Sequence, residues 1–168
     1  MCNKLQFAHI EYSIHTKSID IFSIGCEGNC QDCCNPEIKR WDLSGLDTVQ
    51  VVSKVVSLTT KFNNLIDRII LVGGDPVDAY KRYPSEYLSF ISQIRTLRKP
   101  IYLFTRYELT QIDPILLAQV DYIKTGPYLP ELKCDDNIQE GIKLATSNQK
   151  IFKISEILDL RKMELTVI

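Results

Sequence analysis

Arg68-Ile-Ile-Leu-Val-Gly-Gly-Asp-Pro76 is the stretch that decides the fold. Its opening residues form a short continuous apolar run, the pattern of a strand buried on both faces in a parallel sheet. The turn residues Gly73-Gly74-Asp75-Pro76 then stop it. Three other segments repeat this form. Residues 17–24 (KSIDIFSI) are rich in β-branched and aromatic side chains and end at Gly25. Residues 100–104 end at Thr105-Arg106-Tyr107, and residues 120–124 end at Thr125-Gly126-Pro127. Helical signals lie between them. Ser44-Gly-Leu-Asp47 reads as a capping box opening a helix, with Leu46, Val49, Val52, Val56 and Thr59 at helical spacing. The spacing predicts a helix over 84–97 with Leu88, Ile91, Ile94 and Leu97 inward. Asp113-Pro114 is a cap followed by proline at the first helical position, opening a short helix through Gln119. Strand and helix thus alternate from Lys17 to Lys124, which predicts an α/β fold with a mostly parallel sheet, outer helices and right-handed crossovers.

The flanks are less patterned. The first sixteen residues, with His9 and His15, carry no clear period. Residues 149–154 read as a further strand and 155–162 as a short helix. The 168 residues are expected to form one domain, 1–168. Hydrophobic content of 45% and charged content of 24% are ordinary for a globular protein. A formal charge of −1 gives no footprint for nucleic acid or an anionic membrane. The amino-terminal MCNKLQFAHIEY has no apolar core of a signal peptide, and no apolar run is long enough to span a bilayer. A cytoplasmic protein is expected, where clustered cysteines bind metal or do redox work more often than they form disulfides.

The cluster is Gly25-Cys-Glu-Gly-Asn-Cys-Gln-Asp-Cys-Cys-Asn-Pro36, which gathers Cys26, Cys30, Cys33 and Cys34 on the loop after the first predicted strand. Cys30-x-x-Cys33 alone fits a redox pair, a zinc knuckle or an iron–sulfur ligand set. Adding Cys26 makes C-x-x-x-C-x-x-C, which is far more restrictive. A zinc site needs a fourth ligand from Cys34, Cys134 or a histidine elsewhere. A four-iron cluster held by three thiolates would leave one iron open to a small chelating ligand. Because ligands of parallel α/β sheets bind at the carboxyl ends of the strands, the cysteine loop, GGDP, Thr105–Tyr107 and Thr125–Pro127 are expected to converge.

C-x-x-x-C-x-x-C on such a loop resembles the signature of the radical S-adenosylmethionine superfamily, and the likeness extends to the activating proteins of anaerobic ribonucleoside-triphosphate reductase. Ser23-Ile-Gly-Cys26 resembles that family's approach to its first cysteine, and Asn35-Pro-Glu37 with Trp41 its asparagine-to-tryptophan segment. Leu71-Val-Gly-Gly-Asp-Pro76 is similar to its GG(D/E)P motif, and Ile101-Tyr-Leu-Phe-Thr-Arg-Tyr107 to a strand ending in a YTGY-type turn. Val120-Asp-Tyr-Ile-Lys-Thr-Gly-Pro-Tyr128 resembles its VDxxxDGP-type segment, and Thr146-Ser-Asn-Gln149 its SSNQ-type segment. The chain departs from the pattern where Ile14-His-Thr16 and Ser18 stand for a G-P-G and arginine. Further departures are Cys34 for an aromatic, Arg106 for a glycine, Thr125 for an aspartate and Ala145 for a glycine. The resemblance therefore speaks for radical chemistry more than for a particular target.

The resemblance implies a partial (β/α) barrel of the radical SAM type. It implies that Cys26, Cys30 and Cys33 are the metal ligands of a [4Fe–4S] cluster and thereby the catalytic residues. The cluster would cleave S-adenosyl-L-methionine to methionine and a 5′-deoxyadenosyl radical, and make a glycyl radical on a partner reductase. An electron donor such as flavodoxin or ferredoxin would supply the reductant. Candidate cofactor contacts are Asp32, Cys33, Cys34, Gly73, Gly74, Asp75, Thr125 and Asn148, with Gly126 and Gln149 beside them. Gly73 and Gly74 would let backbone approach the methionine end of the ligand. Asp75 would accept from its amino group or from nearby backbone. Arg106 is expected to be an exposed charge, His9 and His15 surface or interface residues, and Cys2 and Cys134 isolated thiols. Competing readings are another small radical enzyme acting on a protein, peptide or small molecule, an iron–sulfur electron carrier, and a zinc-binding module.

Overall fold

The computed structural model describes residues 4–157. Its strands are β1 (Phe7–Ser13), β2 (Ser18–Ser23), β3 (Arg68–Gly73), β4 (Ile101–Phe104), β5 (Tyr122–Thr125), β6 (Ile138–Gln139), β7 (Ile142–Lys143) and β8 (Lys150–Lys153). The helices are α1 (Thr48–Lys61), α2 (Pro76–Arg82), α3 (Pro84–Arg95) and α4 (Pro114–Leu117). Six strands form one sheet in the order β1-β2-β3-β4-β5-β8. The pairings from β2 through β5 are parallel, while β1 and β8 pair antiparallel at the two edges. The fold is mixed α/β with a mostly parallel sheet. The sheet is open: β1 and β8 are its edges, and it does not close into a barrel.

The consecutive order of the parallel strands fixes where the helices go. Right-handed crossovers that all step in one direction deposit their helices on one face. The core agrees, since Ile19, Ile21, Ile69, Leu71, Ile101, Leu103 and Ile123 pack with Val51, Val55, Phe90, Ile91, Ile94 and Leu116. Alternate strand residues point to the opposite face. There Ile70, Val72, Tyr102, Phe104, Tyr122 and Ile151 meet Ile142 and Leu144 from the small β6–β7 hairpin. Tyr102 and Tyr122 stack with centroids 4.3 Å apart, and Arg68 lies over Tyr102 while donating to the Glu140 carbonyl at 2.8 Å. The hairpin thus covers the middle of this face and leaves its carboxyl-end rim to the loops.

The expected strands and helices recur with informative differences. β1 occupies the stretch that carries no clear period: an edge strand exposes Tyr12 and alternates polar His9 and Glu11 with Ile10. His9 stacks on Phe22 at 4.1 Å and, like His15, stays on the surface. Ser44 does not cap α1. Leu46 instead exchanges backbone hydrogen bonds with Phe7, and the capping box forms one step later between Asp47 and Gln50. The buried face of α1 is Val51, Val55 and Thr59, with Val49 and Val56 exposed. α2 follows GGDP directly, because Asp75 caps it through the Val77 N–H and Pro76 takes the first helical position. The strand expected at 149–154 is β8. A helical turn begins at residue 154, and the remainder of the expected 155–162 helix, like Cys2, lies outside the described residues.

Docking of β1 onto the helices rests on aromatic packing. Phe90 of α3 is fully buried and lies 4.6 Å from the ring of Phe7. Phe90→Ala is expected to cost about 3–5 kcal/mol of unfolding free energy, as for other buried Phe truncations. Urea denaturation of the two proteins measures it.

Candidate functional site

A cavity of about 460 Å³ opens at the carboxyl ends of β2–β5. That volume lies within the range of sites that enclose a small ligand, roughly 300–1,000 Å³. Cys26, Cys30, Cys33 and Cys34 line it together with Gly73, Gly74 and Asp75 and with Phe104, Thr105, Arg106, Lys124 and Gly126. The expected convergence of the strand-end loops is therefore observed. Asp32 also lines the cavity, in a left-handed conformation (φ 54) that aspartate tolerates better than most residues. Gln149 reaches it, but Thr125 and Asn148 are not among its lining residues. Thr125 is buried at the end of β5, and the Asn148 side chain donates to the Pro127 carbonyl at 2.9 Å. Cys134 stands apart, its backbone N–H bonded to Ala145.

The cysteine loop is anchored by backbone at its base. Gly25 N–H donates to Ile38 O at 2.8 Å and Cys26 N–H to Lys39 O at 3.0 Å, closing the loop on itself. Gly74 N–H reaches Ser23 O and Asp75 N–H reaches Gly25 O, both at 2.9 Å, which ties GGDP to the loop. The glycines are required by this docking. A Cβ on Gly73 (φ +113) would lie 2.5 Å from Ser23 N, and one on Gly74 would lie 2.2 Å from Gly25 O. Trp41 seals the outside: a Cβ on Gly25 would fall 2.1 Å from its ring, and its indole N–H donates to Glu27 at 2.6 Å.

Two buried carboxylates organise the wall. Asp75 accepts from Val77 N–H at 2.9 Å, from the Thr105 hydroxyl at 2.8 and 3.0 Å, and from Arg106 N–H at 3.1 Å. Burial pushes its carboxyl up, opposed by the Arg106 and Thr105 donors. Its acceptor capacity is spent on protein, so it acts as a strap between β3 and β4. Asp78 accepts from Glu27 N–H at 2.8 Å, from the Tyr107 hydroxyl at 2.6 Å and from the Arg106 guanidinium at 3.0 Å. Arg106 is thus no exposed charge. It is folded inward, only 25% exposed along its side chain, with its guanidinium 4.2 Å from the Tyr107 ring centroid. Burial works against its charge, but Asp78 and then Asp75 hold it protonated.

Asp78 and Lys124 are the residues that the sequence reading passes over. The alternation along β5 places Lys124 on the same face as Phe104, its partner on β4, and Val72 of β3. Its ammonium donates to the carbonyls of Gly126 at 2.9 Å and Thr105 at 3.4 Å, and no carboxylate pairs with it among the described residues. Burial draws its pKa down to about 8. The protein without a ligand therefore releases this proton more readily folded than unfolded. Its stability is expected to rise as pH climbs from about 8 towards 10.5, where only the unfolded chain still holds the proton. Lys124→Met should abolish that rise and gain about 1–2 kcal/mol at pH 7, read by denaturation at a series of pH values.

The cysteines border one shared space. The described cysteines are all free thiols. Among the described residues no three Cys, His, Asp or Glu side chains converge on a point suited to one metal ion. A mononuclear zinc site needs its thiolates about 2.3 Å from one centre. A four-iron cluster binds each thiolate to a different iron, and Cys26, Cys30 and Cys33 all border one space. Burial raises the Cys26 thiol, countered by the Gly28 N–H at 3.2 Å from its sulfur, whereas burial and then the neighbouring Cys33 raise Cys34. Comparison with known proteins decides the family. Residues 17–152 match the family described as the 4Fe-4S single cluster domain. The chain belongs to that family. The matched span runs from the edge of β2 into β8 and includes every residue that lines the cavity. No curated protein matches the chain. No helix among the described residues is long and apolar enough to cross a membrane.

Proposed function

We propose that this 4Fe-4S protein is a radical S-adenosylmethionine enzyme, with Cys26, Cys30 and Cys33 as cluster ligands and the adjoining cavity as the S-adenosylmethionine site. The observation that carries the reading is the cavity itself. Three thiols in C-x-x-x-C-x-x-C spacing share it with GGDP backbone and the half-buried Lys124, whose ammonium has no carboxylate partner among the described residues. Helices confined to one face of consecutive parallel strands suit a sector of the radical SAM barrel. When bound, the cluster supplies the electron that cleaves S-adenosylmethionine to methionine and a 5′-deoxyadenosyl radical.

The chain's own residues bind, orient and exclude water. Gly73 and Gly74 present bare backbone to the ligand while Asp75 holds their loop in place. Val72, Phe104 and Leu144 form an apolar wall that keeps solvent from a reactive intermediate. Lys124 offers its charge to the ligand's carboxylate. Lys124→Met is expected to weaken S-adenosylmethionine binding about 10–100-fold, the loss of one charge-assisted hydrogen bond of about 1.5–3 kcal/mol, measured by equilibrium dialysis on the cluster-loaded protein. Thr125 and Asn148, set behind the cavity wall, would support it rather than touch the ligand.

The target proposed is a glycine of a partner anaerobic ribonucleotide reductase, with a flavodoxin- or ferredoxin-type protein as electron donor. The order of the motifs in the chain supports this, while the departures at Arg106, Thr125 and Ala145 favour testing it against other protein, peptide or small-molecule targets. Anaerobically reconstituted protein, given dithionite and S-adenosylmethionine, should release 5′-deoxyadenosine and methionine. A cluster-loaded protein that releases neither would make it an electron carrier instead. A glycyl-radical signal in electron paramagnetic resonance, on an added anaerobic reductase, tests the activating role.

A further inference from the structure

Arg106 is placed as though it served the cluster, and the residues around it exist in a form that makes room for it. Its Nε is buried and has no hydrogen-bond partner among the described residues, an unusual state for a charged donor. Asp75 Oδ2 lies 3.7 Å from it, beyond hydrogen-bond range, while the outer guanidinium nitrogen is taken by Asp78 and the Tyr107 hydroxyl. What Nε does face is the start of the cysteine loop. A Cβ built on Gly28 would lie 2.6 Å from Arg106 Nε and 3.1 Å from Cys26 Sγ, so the two atoms flank the same small space, open only because residue 28 is glycine. Gly28 N–H already donates to that sulfur at 3.2 Å.

We propose that Arg106 is a positioning residue for the cluster: its unpartnered Nε–H, held beside Gly28 by Asp78, would become the second donor to Sγ of Cys26 when the cluster is bound and so raise the potential at which the cluster takes up an electron. The inference rests on the cluster reading above. One-electron reduction, from an external low-potential carrier, adds negative charge to the cluster and its thiolates. Donors to those sulfurs stabilise the reduced form more than the oxidised one. A cationic donor does so more strongly than a neutral one.

The test is an anaerobic redox titration with mediators, followed by absorbance and electron paramagnetic resonance, on reconstituted wild-type protein and on Arg106→Leu, Arg106→Lys, Gly28→Ala and Cys134→Ala. Arg106→Leu is expected to move the midpoint to a more negative value and Arg106→Lys by less, with Cys134→Ala unchanged. Gly28→Ala keeps every charge and drives the Arg106 side chain, Nε and Cδ first, away from Cys26 while pressing less closely on Sγ itself, so it should shift the midpoint in the same direction. It decides the matter if Arg106→Leu does not retain a cluster. Full cluster content with an unmoved or more positive midpoint in Arg106→Leu or Gly28→Ala overturns the proposal and leaves the cluster reading standing. Failure of the wild-type protein to assemble any cluster overturns both.

Discussion

Replacing Cys30 by alanine is expected to abolish cluster assembly, while the same change at Cys134 is expected to leave it intact. Cys30 is half-buried on the cavity wall with Cys26 and Cys33 beside it, whereas Cys134 lies outside that wall. A three-thiolate site has no spare ligand, and removing one leaves an iron without its protein anchor. The cost to iron affinity should exceed about 100-fold, since losing only an outer-shell partner of a metal ligand typically costs 10–100-fold. The chain itself should barely notice. Cys30 sits on a loop and belongs to neither apolar core cluster, so the stability of the cluster-free protein should change by no more than about 0.5 kcal/mol. Iron and sulfide analysis after anaerobic reconstitution, together with a urea melt of the cluster-free form, separates loss of a ligand from loss of fold. Cys34→Ala should behave as Cys134→Ala does, because Cys34 is exposed and its sulfur meets the Asn35 side chain at 3.5 Å. If Cys34→Ala instead loses the cluster while Cys26→Ala keeps it, the ligand assignment is wrong.

Gly74→Ala is expected to be nearly as damaging by a different route. The added Cβ would fall 2.2 Å from the carbonyl oxygen of Gly25 and 2.7 Å from its carbonyl carbon. Both are backbone, and the same oxygen accepts the Asp75 N–H at 2.9 Å. Relief requires the cysteine loop to part from the GGDP loop, breaking that bond and shifting Cys26, the next residue in the chain. A clash of this kind costs about 2–4 kcal/mol. It should lower both the melting temperature of the cluster-free protein and its capacity to take up iron. Cys30→Ala is predicted to lower only the second. A Gly74→Ala protein with unaltered stability and full cluster content would show that the two loops do not dock as described.

The parallel core was legible because buried strands announce themselves. The runs at Arg68–Gly73 and Ile101–Phe104 are short, apolar and stopped by turn residues. The convergence of the cysteines with GGDP followed from strand direction alone. β1 escaped because an edge strand beside solvent need not keep a clean alternation, and a bulge between Phe7 and His9 interrupts what there is. Of the stripe expected on α1, Leu46, Val52 and Thr59 face the core but Val49 and Val56 do not, because valines stand at 49, 51, 52, 55 and 56 and helical spacing fits more than one stripe. Packing on β1, through the Phe7–Leu46 bridge, selects the one used. Asp78 and Arg106 were illegible for a deeper reason. Their pairing spans 28 residues and depends on α2 following GGDP without a gap, which spacing along the chain does not reveal. A surface arginine and an acidic helix residue are what each looks like in sequence. Only the placement of β4 beside β3 turns them into one buried unit with the cysteine loop.

What the three cysteines hold is the central question. Anaerobic reconstitution of the full chain, followed by iron, zinc and acid-labile sulfide analysis, tests it most directly. Four iron and four sulfide per chain, matching the single-cluster family, are expected for the wild-type protein, Cys34→Ala and Cys134→Ala, and near zero for Cys30→Ala. One zinc without sulfide, or an iron content indifferent to Cys30, would contradict the account.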